Sequence, residues 1–157
     1  MSDLPAPLED FLASLDLLTG RADRIEALVS LGEGFREVPP EVAERPFAED
    51  RRVPGCESEA YVFSTARSDG TVQLHFAVEN PQGISAMALA AILDRTLSGL
   101  PPEEIVRVSP EIVYRIFGRE LSMGKSMGLT GMVEGVRREA ARRISGGPQD
   151  GVPRHGA

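Results

Sequence analysis

The chain has 157 residues, 41% hydrophobic and 26% charged, the balance of an ordinary globular protein long enough to bury a core without disulfides or metals. Its net charge of −7 is uneven: residues 1–60 hold 14 Asp and Glu against 6 Arg, while residues 61–157 hold 10 against 11 Lys and Arg, which argues against nucleic acid as a partner. No apolar run approaches the roughly 20 residues of a membrane span, and Met1-Ser2-Asp3-Leu4-Pro5 lacks the basic and apolar segments of a secretion signal, so the expected setting is a reducing cytoplasm without membrane contact.

Leu8, Phe11, Leu12, Leu15 and Leu18 fall at helical spacing and stop at Thr19-Gly20. A second helix is expected from about Arg21, with Ile25, Leu28, Val29 and Phe35 as its apolar face and Gly32 and Gly34 weakening its end. Residues 36–55 carry four prolines and many charges and read as an irregular loop, of a length that is usually functional or disordered. Tyr61–Thr65 and Val72–Val78 flank the turn Arg67-Ser68-Asp69-Gly70 and form a hairpin. In its second strand Val72, Leu74, Phe76 and Val78 alternate with Gln73, His75, Ala77 and Glu79, so one face is buried and His75 is a surface residue.

Asn80-Pro81 reads as an N-cap followed by proline at the first helical position, opening a helix that runs to Leu97. Pro101-Pro102-Glu103-Glu104 and Ser109-Pro110-Glu111 each open a short helix. After Leu121-Ser122 a long helix carries Leu129, Met132, Val133, Val136, Ala140 and Ile144; Gly128, Gly131 and Gly135 weaken it but allow another element to approach closely. Its arginines, Arg137, Arg138, Arg142 and Arg143, complement the helix dipole as a solvated end. Residues 1–144 are expected to form a single domain and 145–157 a disordered tail. A short central hairpin among several helices is an α+β pattern.

The one cysteine, Cys56, lies in Val53-Pro54-Gly55-Cys56-Glu57-Ser58. Free cysteines are often packing residues, yet proline, glycine and glutamate surround this one, and Gly55 and Pro54 are suited to hold a side chain at a loop tip. Standing alone, it excludes an internal disulfide, a CxxC redox pair and a cysteine metal cluster, so any transfer chemistry needs a partner. Glu57 and Glu59 oppose the thiolate, and Arg51 and Arg52 favour it.

His75 and His155 belong to no metal-binding pattern, and no metal site or cofactor is expected. Gly118 to Ser126 has the look of a phosphate-binding loop but with five residues between its glycines, and a helical segment rather than a strand before it. On the residues alone, three readings of Cys56 stay open. It is a transfer thiol acting with a partner, a nucleophile of a hydrolase or transferase with His75 as base, or a packing cysteine in a non-catalytic interaction module.

Val53-Pro54-Gly55-Cys56-Glu57-Ser58 resembles the V-x-G-C-x-S segment of the SufE family of sulfur-acceptor proteins, which includes the CsdE branch. Leu121-Ser122, Lys125 and Gly128-Leu129 are similar to that family's L-S/T-x-x-R-x-x-G-L segment, and Glu79-Asn80 aligns with an acidic-Ser stretch. The order and spacing match over roughly residues 20–143. The chain departs from the pattern at Glu57, where glutamine is usual, at Tyr61, where tryptophan is frequent, at Lys125, where arginine is usual, and at Met87, where glycine is common.

The resemblance implies a SufE/IscU-like fold with a small antiparallel sheet packed against helices. It implies an accessory protein, not an enzyme on its own. Cys56 takes persulfide sulfur from a PLP-dependent, SufS-like cysteine desulfurase, stimulates that enzyme and passes the sulfur to an iron–sulfur scaffold. Gly55, Glu57, Ser58, Glu79 and Lys125 would contact the partner or orient the loop, and the protein would be a monomer or weak homodimer. Cys56 is expected to rest in an apolar hollow and to move out when the partner docks.

Overall fold

A computed structural model of the chain describes residues 4–144; the tail expected at 145–157 lies outside them. The architecture is α+β, as the sequence pattern implies. Two helices, α1 (Ala6–Asp16) and α2 (Arg21–Glu33), precede a hairpin of β1 (Ala60–Ala66) and β2 (Val72–Val78). Four more follow: α3 (Ile84–Leu97), α4 (Pro102–Ile105), α5 (Ile112–Phe117) and α6 (Met123–Ile144). The strands pair antiparallel, from Ala60 opposite Val78 to Ala66 opposite Val72.

The core forms on one face of this hairpin. Val62, Leu74, Phe76 and Val78 point at the helices and meet Leu89, Ile92 and Leu93 of α3 and Met132, Val133 and Val136 of α6. Helix α3 is buried nearly all round, with four alanines among its 14 residues, the composition of a central helix. Each large aliphatic side chain removed from water here is worth roughly 1.5–3 kcal/mol.

Helix α2 departs from the expected apolar face. Ile25 and Val29 are 51% and 38% exposed, and Gly32 is the buried residue. A methyl group at Gly32 would lie 3.2 Å from the Ile84 carbonyl oxygen, so α2 packs on α3 through its smallest residue, and that crossing turns part of its apolar stripe to solvent.

The start of α3 also differs. Asn80 does not cap the helix: its Oδ1 accepts from Gln82 N–H at 2.9 Å and its carbonyl accepts from Gly83 N–H at 2.9 Å. These bonds hold Asn80-Pro81-Gln82-Gly83 as a turn, because an asparagine side chain competes with the helix for nearby amides. The helix begins at Ile84, with Gly83 as its N-cap.

The segment before β1 is irregular apart from a 3-10 turn at Glu49–Arg51, but it has a structural task. Val38 N–H donates to Phe76 O and Val53 N–H to Ala60 O, both at 2.8 Å, so the segment pairs with both outer edges of the hairpin. It covers the outer face, where Val38 and Phe47 pack on Tyr61, Phe63 and Ala77. Arg45 clamps it: the guanidinium donates to Glu37 and Glu79 at 2.6 Å each and lies 4.9 Å above the Phe47 ring. His75 sits on this face, opposite Phe63, half-buried and 3.1 Å from Thr65 Oγ1, not free at the surface.

The arginines late in α6 are likewise not simply a solvated end. Glu139, 3% exposed, accepts from Ser64 Oγ at 2.7 Å and Arg142 at 3.1 Å and pairs with Arg51 at 3.3 Å. Arg143 donates to the Ser64 carbonyl at 2.6 Å. This network ties the 3-10 turn, β1 and α6 together just upstream of Cys56.

Removing the Glu139 carboxylate leaves the partly buried Arg51 without this counter-charge. Glu139→Ala is therefore expected to lower the unfolding free energy by roughly 2–4 kcal/mol, read as a fall in the urea midpoint. Burial holds the His75 pKa below its ordinary 6.5, partly offset by Asp94. Below about pH 6.5 the unfolded chain therefore takes up a proton that the folded chain resists, and stability falls as pH drops. Urea titrations at about pH 7 and about pH 5 should show a smaller loss for His75→Gln than for the wild type.

Candidate functional site

Cys56 sits at the tip of a loop closed at its base by the Val53–Ala60 hydrogen bond. Two residues in the left-handed region shape it: Gly55 at φ 70 and Glu59 at φ 53. Glycine adopts that conformation freely, whereas glutamate there is uncommon. Glu59 N–H donates to the Cys56 carbonyl at 3.0 Å, and Asn80 N–H to the Ser58 carbonyl at 3.1 Å, which ties the loop to the turn before α3.

The loop lies on the glycine-bearing face of α6. A methyl group at Gly128 would be 3.2 Å from Cys56 Sγ, and one at Gly131 would be 2.9 Å from Val53 Cγ1. At Gly124 it would be 3.2 Å from the Glu57 carboxylate, which thus rests on the first turn of α6, where the helix dipole favours negative charge. On the opposite wall, a methyl at Gly83 would be 2.8 Å from Ser58 Oγ. Cys56 is therefore held between α6 and the start of α3, 8% exposed.

Beside the thiol lies a hollow of about 230 Å³ lined by Cys56, Glu57 and Ser58 from the loop, Gly83 to Ala86 from the start of α3, Ser122 just before α6, and Gly124, Lys125 and Gly128 on it. Its wall is mixed: apolar surface predominates, as expected, but three serines and two charged side chains share it. Among the described residues the Lys125 ammonium has no ion pair. Ile84 and Met127, 48% and 54% exposed, stand near the thiol, and Met127 Cε lies against Gly55.

The structure thus brings Cys56, Glu57, Ser58 and Lys125 to one hollow, with Gly55 shaping the approach. Glu79 is placed elsewhere: its carboxylate is held by Arg45, and only its backbone N–H reaches the loop, at Glu59 O. His75 is not a base for Cys56, since it belongs to the outer face of the hairpin while Cys56 packs with the main core. The resemblance to a phosphate-binding loop also ends here, because Gly118 caps α5 and no strand precedes it. Gly83, Ser85, Gly124 and Ser122 are new to the site. Only the small residues along α6 carried a signal in the sequence, and that signal did not name what they touch. Among the described residues no group of His, Cys, Asp and Glu is placed to hold a metal ion, and no helix is long and apolar enough to cross a membrane.

Gly128→Ala adds a methyl that Cys56 must yield to. The helix gains from losing a glycine about what the crowding costs, on the order of 1 kcal/mol each way, so stability should change little while the thiol is pushed outward. Alkylation of Cys56 by iodoacetamide should be several-fold faster than in the wild type, and an equal rate would show that Gly128 does not control its shelter.

The chain resembles an uncharacterized SufE-like protein of Rhizobium etli, 28% identical over 144 residues that span 86% of this chain and 95% of that protein. Its fold is shared with the solution structure of a hypothetical protein from Thermus thermophilus, at a TM-score of 0.72 and 23% identity, covering 90% of this chain and 98% of the other. Residues 9–140 match the SufE family, described as an Fe-S metabolism associated domain. Since that match takes in both walls of the hollow and the cysteine loop between them, the chain belongs to the SufE family.

Proposed function

We propose that this protein is a sulfur carrier for iron–sulfur cluster assembly, with Cys56 as acceptor of persulfide sulfur from a PLP-dependent cysteine desulfurase. The observation that carries the reading is the placement of the chain's one thiol: nine-tenths buried, at a loop tip, beside a hollow with room for added sulfur. A persulfide exposed to solvent is open to any thiol, so a carrier needs such a shelter, whereas His75, the base a hydrolase would draw on, lies on the other face of the hairpin.

The transfer is thiol exchange. The Cys56 thiolate attacks the outer sulfur of the desulfurase's cysteine persulfide, a new sulfur–sulfur bond forms on Cys56, and the bond to the partner's cysteine breaks, its sulfur leaving as a thiolate. Such a step asks for access and in-line approach rather than for an acid–base pair. Access requires the loop to leave Gly128. The loop is pinned at its base by Val53 and at Ser58 by Asn80, which leaves Pro54 to Glu57 as the segment that swings. Ile84, Met123 and Met127, all substantially exposed around the hollow, offer apolar surface to a docking partner. The carried sulfur then passes to an iron–sulfur scaffold by the same exchange.

Incubation with a cysteine desulfurase and cysteine, followed by mass spectrometry, should show one added sulfur on Cys56. Cys56→Ser should take up none while its urea midpoint stays close to that of the wild type. A wild-type protein that gains no sulfur would sink the reading.

A further inference from the structure

The hollow beside Cys56 is walled by two helix N-termini, and the two are not equivalent. At α6, Ser122 Oγ accepts from Lys125 N–H at 3.2 Å, and the Glu57 carboxylate rests over Gly124. At α3 there is neither a capping side chain nor an acidic residue in the first turn. Ile84 N–H donates to Gln82 O and Met87 N–H to Gly83 O, but among the described residues the N–H groups of Ser85 and Ala86 have no acceptor. Both residues line the hollow. Cys56 lines it too, nine-tenths buried, its thiol without a hydrogen-bond partner among the described residues.

Unsatisfied amides at the start of a 14-residue helix are donors for an anion, and the helix dipole adds to their pull. The charged side chains lining the hollow are Glu57, on the cysteine loop, and Lys125, on α6; α3 contributes none. Glu57 rests on α6, while Lys125 has no ion pair there. The uncompensated positive field thus comes from the α3 amides and Lys125.

We propose that the hollow is an anion site in which the outer sulfur of the Cys56 persulfide is carried deprotonated, held by the Ser85 and Ala86 N–H groups and balanced by Lys125. This rests on the reading of Cys56 as a sulfur acceptor and adds the charge state of the cargo and the residues that hold it. The balance is simple. A Cys56 thiolate and a protonated partner persulfide give a Cys56 persulfide anion and a partner thiol, the proton passing from the transferred sulfur to the departing thiolate. Net charge is conserved and no oxidant or reductant is needed. Ser85 and Lys125 are positioning residues: they set the charge of the bound sulfur and make no bond to the attacking atom.

The test uses the full chain loaded with sulfur at Cys56 in two ways, by desulfurase and cysteine or by inorganic polysulfide. Its alkylation rate with iodoacetamide is followed against pH in the wild type, Ser85→Asp, Ser85→Asn and Lys125→Met. Ser85→Asp places a fixed carboxylate over the α3 amides, which favours the helix but competes with the cargo. It should raise the midpoint of the pH profile by about one unit without lowering the thermal midpoint. Lys125→Met should shift it the same way, and Ser85→Asn should leave it in place.

An unchanged midpoint in both Ser85→Asp and Lys125→Met overturns the anion site even where the desulfurase loads Cys56 normally. A desulfurase that fails to load Cys56 overturns the carrier reading instead, while polysulfide-loaded protein still reports on the site. Failure of polysulfide as well would overturn both.

Discussion

The close approach of α6 to the cysteine loop and to β1 is the contact on which the rest of the structure depends. A column of glycines at 124, 128, 131 and 135 replaces side chains with backbone along one face of the helix, and Glu57, Cys56, Val53 and Val62 press against it in turn. Each glycine weakens the helix by about 1 kcal/mol relative to alanine. Packing on the other face, through Leu129, Met132, Val133, Val136 and Ala140, offsets the loss. One helix therefore both builds the core and leaves a seat for a thiol, and the depth of that seat is set by the absence of a single methyl group at Gly128.

The thiol's surroundings follow from that seat. Because Cys56 is pressed onto α6 close to its first turn, the start of α3 becomes the other wall, joined to the loop through Asn80 and through the tight contact of Gly83 with Ser58. Helix ends bring amides, hydroxyls and charges, so the hollow is polar on much of its surface although the thiol itself belongs to the hydrophobic core. The loop is anchored upstream by the Arg51–Glu139 pair and downstream by Asn80. The loop is thereby held on both sides of the thiol.

The elements were legible in the sequence where local rules decide them. The hairpin, the long C-terminal helix and the two short proline-started helices follow from alternation, helical spacing and start signals, and they stand where those signals put them. Reading was less successful where a side chain had two uses. Asn80 serves a turn rather than a helix start. Ile25 and Val29 look out to solvent because α2 touches α3 through Gly32. The proline-bearing loop is ordered because the outer face of the hairpin needs a cover, a demand that comes from β1 and β2 and not from the loop's own composition. For the same reason His75 is half-buried on a strand face that alternation assigned to solvent.

What the sequence determined by itself is the chemistry available: one thiol, its placement in a glycine-bearing loop before a strand, and motif spacing that points to the SufE family. Those properties are local, or depend on order along the chain, and survive without coordinates. The tertiary structure decided which groups surround the thiol. Ser85 and Lys125 are far apart in sequence and lie on different helices, and only the packing of α3 and α6 against the same loop sets them on one hollow. Glu79, adjacent to Asn80 in the chain, was drawn off by Arg45. Electrostatics at a site depends on distance through space, which chain order does not encode.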